Sequence, residues 1–233
     1  MTLICTICAR GGSKGVSGKN TRMIAGKPLI SWTVEQALAT GVFDFIAVSS
    51  DSAAILTAAR DAGADHTIVR PAALATDHAG KIPAIAHALR AAEAAYGQKA
   101  NTFVDLDATS PLRDISDITG AIDLLHTTGA PNVITGMTSR HSPYFNMVER
   151  KANGAVHISK PLPSMVLRRQ DSPACFDMNG SVYVWDRDRF LDDPQVFYSD
   201  TQLFEMPEER SVDIDSPLDF KIVEMLLSQK NAR

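Results

Sequence analysis

An α/β fold, built as a mostly parallel sheet with helices on both faces, is what the sequence predicts. Three observations carry it. Short aliphatic runs alternate with amphipathic or Ala-rich stretches along most of the chain. A glycine-rich loop follows the first run directly. Hydrophobic residues make up 45% of the 233 but aromatics only 6%, which suits an aliphatic core in one large domain with at most a small appendage.

The elements follow in order. Leu3 to Cys8 is a short apolar run that reads as a buried first strand rather than a signal peptide. Leu29 to Thr40 is an amphipathic helix, Phe45 to Ser49 a strand, Ala53 to Ala62 a helix and His66 to Val69 a strand. Pro83 to Tyr96 is Ala-rich and helical, Thr102 to Leu106 a strand, Ile115 to His126 a helix and Asn132 to Met137 a strand. The rhythm breaks after Thr138. Residues 139–177 are rich in Pro, Arg and polar residues and read as an insertion of hairpins and loops between the two parts of the α/β domain, 1–138 and 178–233. Ser181 to Trp185 resumes the sheet, and Pro217 to Leu227 is a final helix.

Charge and cysteines narrow the classes. A net charge of −4 without any basic run argues against nucleic acid as a partner. No apolar run approaches the span of a bilayer, so no membrane partner is expected. Cys5 and Cys8 form a Cys-x-x-Cys pair, but in a strand their side chains point to opposite faces, and no second pair follows. They read as structural thiols, and a cytoplasmic location fits.

The strongest local signal is the loop Ala9-Arg10-Gly11-Gly12-Ser13-Lys14-Gly15-Val16-Ser17-Gly18-Lys19-Asn20. Its glycines let backbone N–H groups approach phosphate oxygens, and Arg10, Lys14 and Lys19 bring positive charge suited to a triphosphate. It is neither a Walker A loop nor a dinucleotide fingerprint. Near the other end stands Asp213-Ile214-Asp215. In an extended segment this spacing puts both carboxylates on one face, about 7 Å apart, where they can hold magnesium; the plainer reading is that they precede and cap the last helix. Asp51 and Ser52 read as an N-cap, as does Asp77 ahead of the Ala-rich helix, and Asp114 can start the helix that follows it. Asp219 reads as a first-turn helix charge. An Arg168 ion pair at the surface is the plain reading of that side chain.

The opening, with Gly18-Lys19-Asn20 and then Gly26-Lys27-Pro28-Leu29, resembles that of the CMP-sialic acid synthetases. That group includes the N-acylneuraminate, legionaminate and pseudaminate cytidylyltransferases, with the 3-deoxy-manno-octulosonate enzyme as a more distant cousin. The resemblance runs from Leu3 to about Leu227 through Arg70-Pro71, Leu74-Ala75-Thr76-Asp77, Thr109-Ser110-Pro111-Leu112-Arg113 and Asn179-Gly180-Ser181-Val182-Tyr183. It implies a Rossmann-like sheet of the nucleotide-diphospho-sugar transferase type. It implies that Arg10, Ser13, Lys14 and Lys19 hold the phosphates of CTP, that Asn20 lies near the nucleotide, and that Arg70, Ala79 and Lys81 lie at the base. It makes Asp213 and Asp215 the ligands of Mg2+ at the reacting phosphate, with Lys19 as their catalytic companion, and places Arg169, Asn179 and Tyr183 by the sugar.

Two positions depart from the family. Asp107 stands where the sialic-acid enzymes usually carry a Gln aimed at the sugar, and is open to a sugar or a metal role; Asp177 stands where they often carry Arg. Both departures favour a legionaminate-like sugar over N-acetylneuraminate. The resemblance also makes the insertion 139–177, with its apolar cluster from Ser142 to Val148, a dimerisation unit. The expected protein is a homodimer that joins CTP to an acidic nine-carbon sugar, giving the CMP-sugar and pyrophosphate. An octulosonate enzyme is the rival reading, against which Lys14 and the long insertion weigh. A non-catalytic nucleotide-sugar binding dimer is the other, against which the paired aspartates weigh.

Overall fold

A computed structural model describes residues 1–12, 15–164 and 167–231. Its first half contains β1 (Leu3–Cys8), the small ladder of β2 (Met23–Ile24) and β3 (Lys27–Pro28), α1 (Leu29–Thr40), β4 (Phe45–Ser50), α2 (Ala53–Asp61) and β5 (His66–Val69). α3 (Lys81–Tyr96), β6 (Thr102–Leu106), α4 (Ile115–Thr128) and β7 (Asn132–Thr138) follow. The rest comprises β8 (Val148–Arg150), β9 (Val156–Ile158), β10 (Phe176–Asp186), α5 (Arg187–Asp192), β11 (Gln202–Glu205) and α6 (Pro217–Asn231).

One seven-stranded sheet has the order β11-β7-β10-β6-β1-β4-β5. Its pairs are parallel except those of β10, which runs antiparallel between β6 and β7. The alternation of each strand sorts its side chains onto two faces. Cys5 and Ile7 of β1 and Val182 and Val184 of β10 pack against α1, α2 and α4, whereas Ile4, Tyr183 and Trp185 pack against α3 and Phe190 of α5. Cys8 joins the second group, so the Cys5 and Cys8 thiols are on opposite sides of the sheet. Burial, reinforced by the Asp105 carboxylate, pushes both thiols well above the usual range, which suits packing and not redox exchange.

A third apolar cluster decides where the functional motifs lie. Val16 from the glycine loop, Leu29 and Trp32 of α1, Ile214, and Phe220, Val223 and Leu227 of α6 pack together. Ile214 is fully buried, so the residue between the two aspartates is an anchor worth about 2 kcal/mol of apolar burial. Helix ends are fixed locally. Asp114 and Asp117 form a capping box at α4, and Ser216 and Asp219 exchange hydrogen bonds at the start of α6, with Pro217 at its first position.

β8 and β9 form a separate two-stranded sheet inside residues 139–177. Met147, Val148, Val156, Leu167, Phe176 and Met178 are exposed in and beside it. β10 begins at Phe176, earlier than the aliphatic run alone indicates, because Phe176 to Met178 pair only with β7 before a bulge. Among the described residues, no helix is long and apolar enough to cross a membrane.

Candidate active site

The glycine loop leaves β1 at the carboxyl end of the sheet and is held from three sides. Ala9 N–H donates to Ser49 O (3.0 Å), extending the pairing with β4. Gly11 N–H donates to Asp51 Oδ1 (2.8 Å). Asp51 therefore braces the loop and does not cap α2, whose N-cap Ser52 makes no side-chain capping bond. Asn20 is buried, and its Nδ2 donates to Arg10 O (3.0 Å), so it shapes the loop from within. Ser13 and Lys14 lie outside the described residues.

The loop then meets the far end of the chain. A Cβ on Gly15 would stand 1.8 Å from the carbonyl oxygen of Asp215, so the two backbones touch as only glycine allows. Lys19 Nζ donates to Ile214 O (2.6 Å) and lies 3.6 Å from Asp215 Oδ1. Gly15→Ala must push the loop off the 213–215 segment. A shift on the order of 1 Å at a reacting site costs about a hundredfold in kcat/KM, to be read from initial rates; a rate within about threefold of wild type would deny this contact its role.

Ile214 N–H donates to Thr109 O (3.0 Å), which fixes the segment against the end of β6. Asp213 is half-buried, with an Oδ1 that finds no hydrogen-bond partner among the described residues. Burial and then the Asp107 carboxylate raise its pKa. Asp215 is largely in solvent, its side chain 82% exposed. Among the described residues no three His, Cys, Asp or Glu side chains converge as a metal cage. Magnesium is commonly held by one or two carboxylates, completing its shell with water and phosphate oxygens. A carboxylate oxygen with no hydrogen-bond partner among the described residues, beside a second, exposed carboxylate, fits that arrangement.

A cavity of about 220 Å³ opens beside the loop, lined by Cys8, Arg10, Arg70, Ala79, Lys81 and Asp107 among others. It is smaller than the roughly 300 Å³ of an ordinary small-molecule pocket, with room for a ring rather than a whole nucleotide. Arg70 is buried and aimed by donating to Ser49 Oγ (3.3 Å) and Ser49 O (2.9 Å). Lys81 Nζ donates to Asp107 Oδ2 (2.8 Å), lies 3.9 Å from Asp105 and sits 4.2 Å above the Tyr183 ring. Burial alone would pull the Lys81 ammonium down, but Asp107 and Asp105 hold it above the usual lysine range. For Asp107 burial pushes upward, and Lys81 with the N–H and hydroxyl of Thr109 overcomes it, lowering the carboxyl to about 2. Asp105 is pushed up to about 6, chiefly by burial, although Thr6 Oγ1 donates to it (2.8 Å). Arg10 pairs with Asp77 (2.9 Å), so Asp77 faces the loop, and the N-cap of α3 is Gly80.

The residues assigned to the sugar are distributed differently. Arg169 donates to Ser139 O and lines another cavity, of about 410 Å³, with His141, Ser142 and Cys175. Arg168 pairs with Asp171 (2.8 Å) as a surface arginine should. Asp177 accepts from Ser139 Oγ (2.7 Å). Tyr183, 5% exposed, stacks on Trp185 with ring centres 5.4 Å apart and acts as the floor under Lys81. Asn179 is buried, with both ends of its amide bonded inside the protein. The structure thus gathers Arg10, Lys19, Asn20, Arg70, Ala79, Lys81, Asp107, Asp213 and Asp215 around the loop, while Asn179 and Tyr183 are buried in the fold. Asp51 was the bracing residue that the sequence did not disclose; its one signal is a carboxylate directly after β4, which local capping explains equally well.

Residues 4–232 match the family described as cytidylyltransferase. The chain belongs to that family. It is 42% identical over 229 residues to the CMP-N,N'-diacetyllegionaminic acid synthase of Campylobacter jejuni, covering 98% of this chain and 96% of that protein. The same identity and coverage relate it to the post-translational flagellin modification protein B of Campylobacter coli. Among solved structures, a CMP:2-keto-3-deoxy-manno-octonic acid synthetase complexed with CTP superposes with a TM-score of 0.74 over 99% of this chain and 100% of that one. At 18% identity that likeness shows the cytidylyltransferase fold.

Proposed function

We propose that this cytidylyltransferase transfers CMP from CTP to the anomeric hydroxyl of an acidic nine-carbon sugar, legionaminate-like in its acylation, and releases pyrophosphate. The observation that carries the reading is the convergence of the two ends of the chain: Gly15 rests on the Asp215 backbone and Lys19 reaches Ile214 O beside the cavity of Arg10, Arg70 and Lys81. The full-length relative at 42% identity, named for a legionaminic acid, supports this sugar class over the octulosonate, for which the likeness is one of fold.

Each residue has a task in this reading. Arg10, Ser13, Lys14 and Lys19 gather the phosphates, while Arg70 and Lys81 meet the base with Ala79 at the rim. Asp107 keeps Lys81 charged and Thr109 in place. Asp213 and Asp215 would hold Mg2+, which when bound neutralises phosphate charge and makes the sugar hydroxyl easier to ionise. The anomeric hydroxyl gives up its proton to solvent as its oxygen attacks the α-phosphorus in line, the bond from that phosphorus to the bridging oxygen breaks, and pyrophosphate leaves toward Arg10 and Lys19. Arg169 is the candidate partner of the sugar carboxylate, brought by the insertion. The test is pyrophosphate release with CTP and magnesium across legionaminate, pseudaminate, N-acetylneuraminate and the octulosonate. Legionaminate should be turned over fastest and a chelator should stop the reaction; release with the octulosonate alone would overturn the sugar assignment.

The exposed apolar side chains of residues 139–178 seek a partner surface, and a second copy of the chain is the proposed one. Light scattering should give twice the chain mass, and Val156→Arg should shift it to one; a monomeric wild type would refute the dimer. Three free cysteines agree with a cytoplasmic setting.

A further inference from the structure

The bulge in β10 lies between Met178 and Tyr183, and Gly180 within it takes a left-handed φ of 64°. This turns Asn179 away from the regular ladder and into the protein, where it is 9% exposed. Asn179 Oδ1 accepts from Thr135 Oγ1 (2.7 Å) and from Ser181 N–H (3.1 Å). Its Nδ2 donates to Ser211 Oγ (2.9 Å), and that buried hydroxyl in turn donates to Pro207 O (2.9 Å). Ser211 stands two residues before Asp213, and the next fixed point along the chain is Ile214 N–H on Thr109 O (3.0 Å). The segment that carries Asp213 is thus pinned on one side by the strand bulge and on the other by the end of β6. An amide used in this way has little left to offer a ligand.

We propose that Asn179 is a positioning residue for the transfer reaction: acting through Ser211, it fixes the segment that presents the Asp213 carboxylate. The inference rests on the reading of Asp213 given above and departs from the sugar contact that resemblance implies for Asn179.

Asn179→Ala, Ser211→Ala and the double variant test it, with Ser211→Thr as the form that keeps the hydroxyl. Hydrogen exchange over residues 213–215, measured without substrate, should be faster by about tenfold in each single variant and no faster in the double, since one link is cut in all three. kcat should fall by about tenfold in each Ala variant, with the sugar KM within about twofold of wild type, and Ser211→Thr should restore most of kcat. Ser211→Ala removes a single oxygen and keeps the test available should Asn179→Ala fold poorly. The proposal is overturned if Ser211→Ala leaves exchange and kcat at wild-type values while Asn179→Ala raises the sugar KM. Failure of the reaction itself would show separately, as no turnover by the wild-type protein, and the exchange of 213–215 would still decide the tie.

Discussion

Asp213→Asn is expected to lower kcat by about a thousandfold while CTP affinity changes by no more than about threefold, as measured by pyrophosphate release and calorimetric titration. The substitution keeps shape and removes charge. Asp213 is half-buried, its Oδ1 has no hydrogen-bond partner among the described residues, and burial with Asp107 and Asp215 nearby disfavours its ionised form. Neutralising it relieves that repulsion, so the folded state should be as stable as wild type or slightly more so. A carboxylate kept at such a site against its own electrostatics points to a task in the reaction. A structural role would show the reverse pattern, lost stability with activity preserved per folded molecule. Asp215→Ala should behave in the same way toward turnover, with less effect on stability still, since its side chain is largely in solvent.

Lys81→Met is expected to destabilise the protein by about 3 kcal/mol near neutral pH and to raise the KM for CTP at least about tenfold. Met keeps an apolar stem over Tyr183 but leaves Asp107 and the fully buried Asp105 without their shared cation. The stability figure is at the lower end for a broken buried pair because the Lys81 side chain remains 35% exposed and partly screened. The pH dependence has a definite sign. Asp107, lowered to about 2 from an unfolded value near 3.9, contributes stability that is complete above that unfolded value and lost as pH falls through about 2. Asp105, raised to about 6, does the opposite: its contribution is full below about 4 and lost as pH rises through about 6. Without Lys81 both carboxyls titrate higher. The deficit of Lys81→Met should therefore be largest near neutrality and shrink toward about pH 5, as urea midpoints at the two pH values will show. Equal deficits at both would remove the ion pair from the account.

Much of this arrangement was legible before folding. The bounds expected for β1, α1, β5 and β6 coincide with those observed, because each is set by a local aliphatic run or a local helix end. β11 and α5 were not seen: a four-residue edge strand and a six-residue helix take their reason from distant partners, β7 and the aromatic cluster of Phe103, Trp185 and Phe190. The first part of β10 was hidden for the same reason, since its pairing depends on the bulge after Met178. Within the site, Arg10, Lys19 and the two aspartates could be picked out by residue type and spacing. Their meeting could not, because it depends on the close approach of Gly15 to Asp215 and on buried Ile214. Asp51 and Asp77 show the limit most plainly. A carboxylate ahead of a helix satisfies the capping rule whether or not it caps, and here the loop residues Gly11 and Arg10 claim both. Asn179 shows the converse: a motif identifies the residue but not the direction of its amide.

Product analysis of a single turnover tests the central claim most directly. Wild-type protein with magnesium, CTP and legionaminate should yield one CMP-sugar and one pyrophosphate per sugar consumed, resolved by mass and by phosphorus resonance. Formation of CDP with a sugar phosphate, or stable CTP binding with neither product, would contradict transfer at the α-phosphorus and with it the site described here.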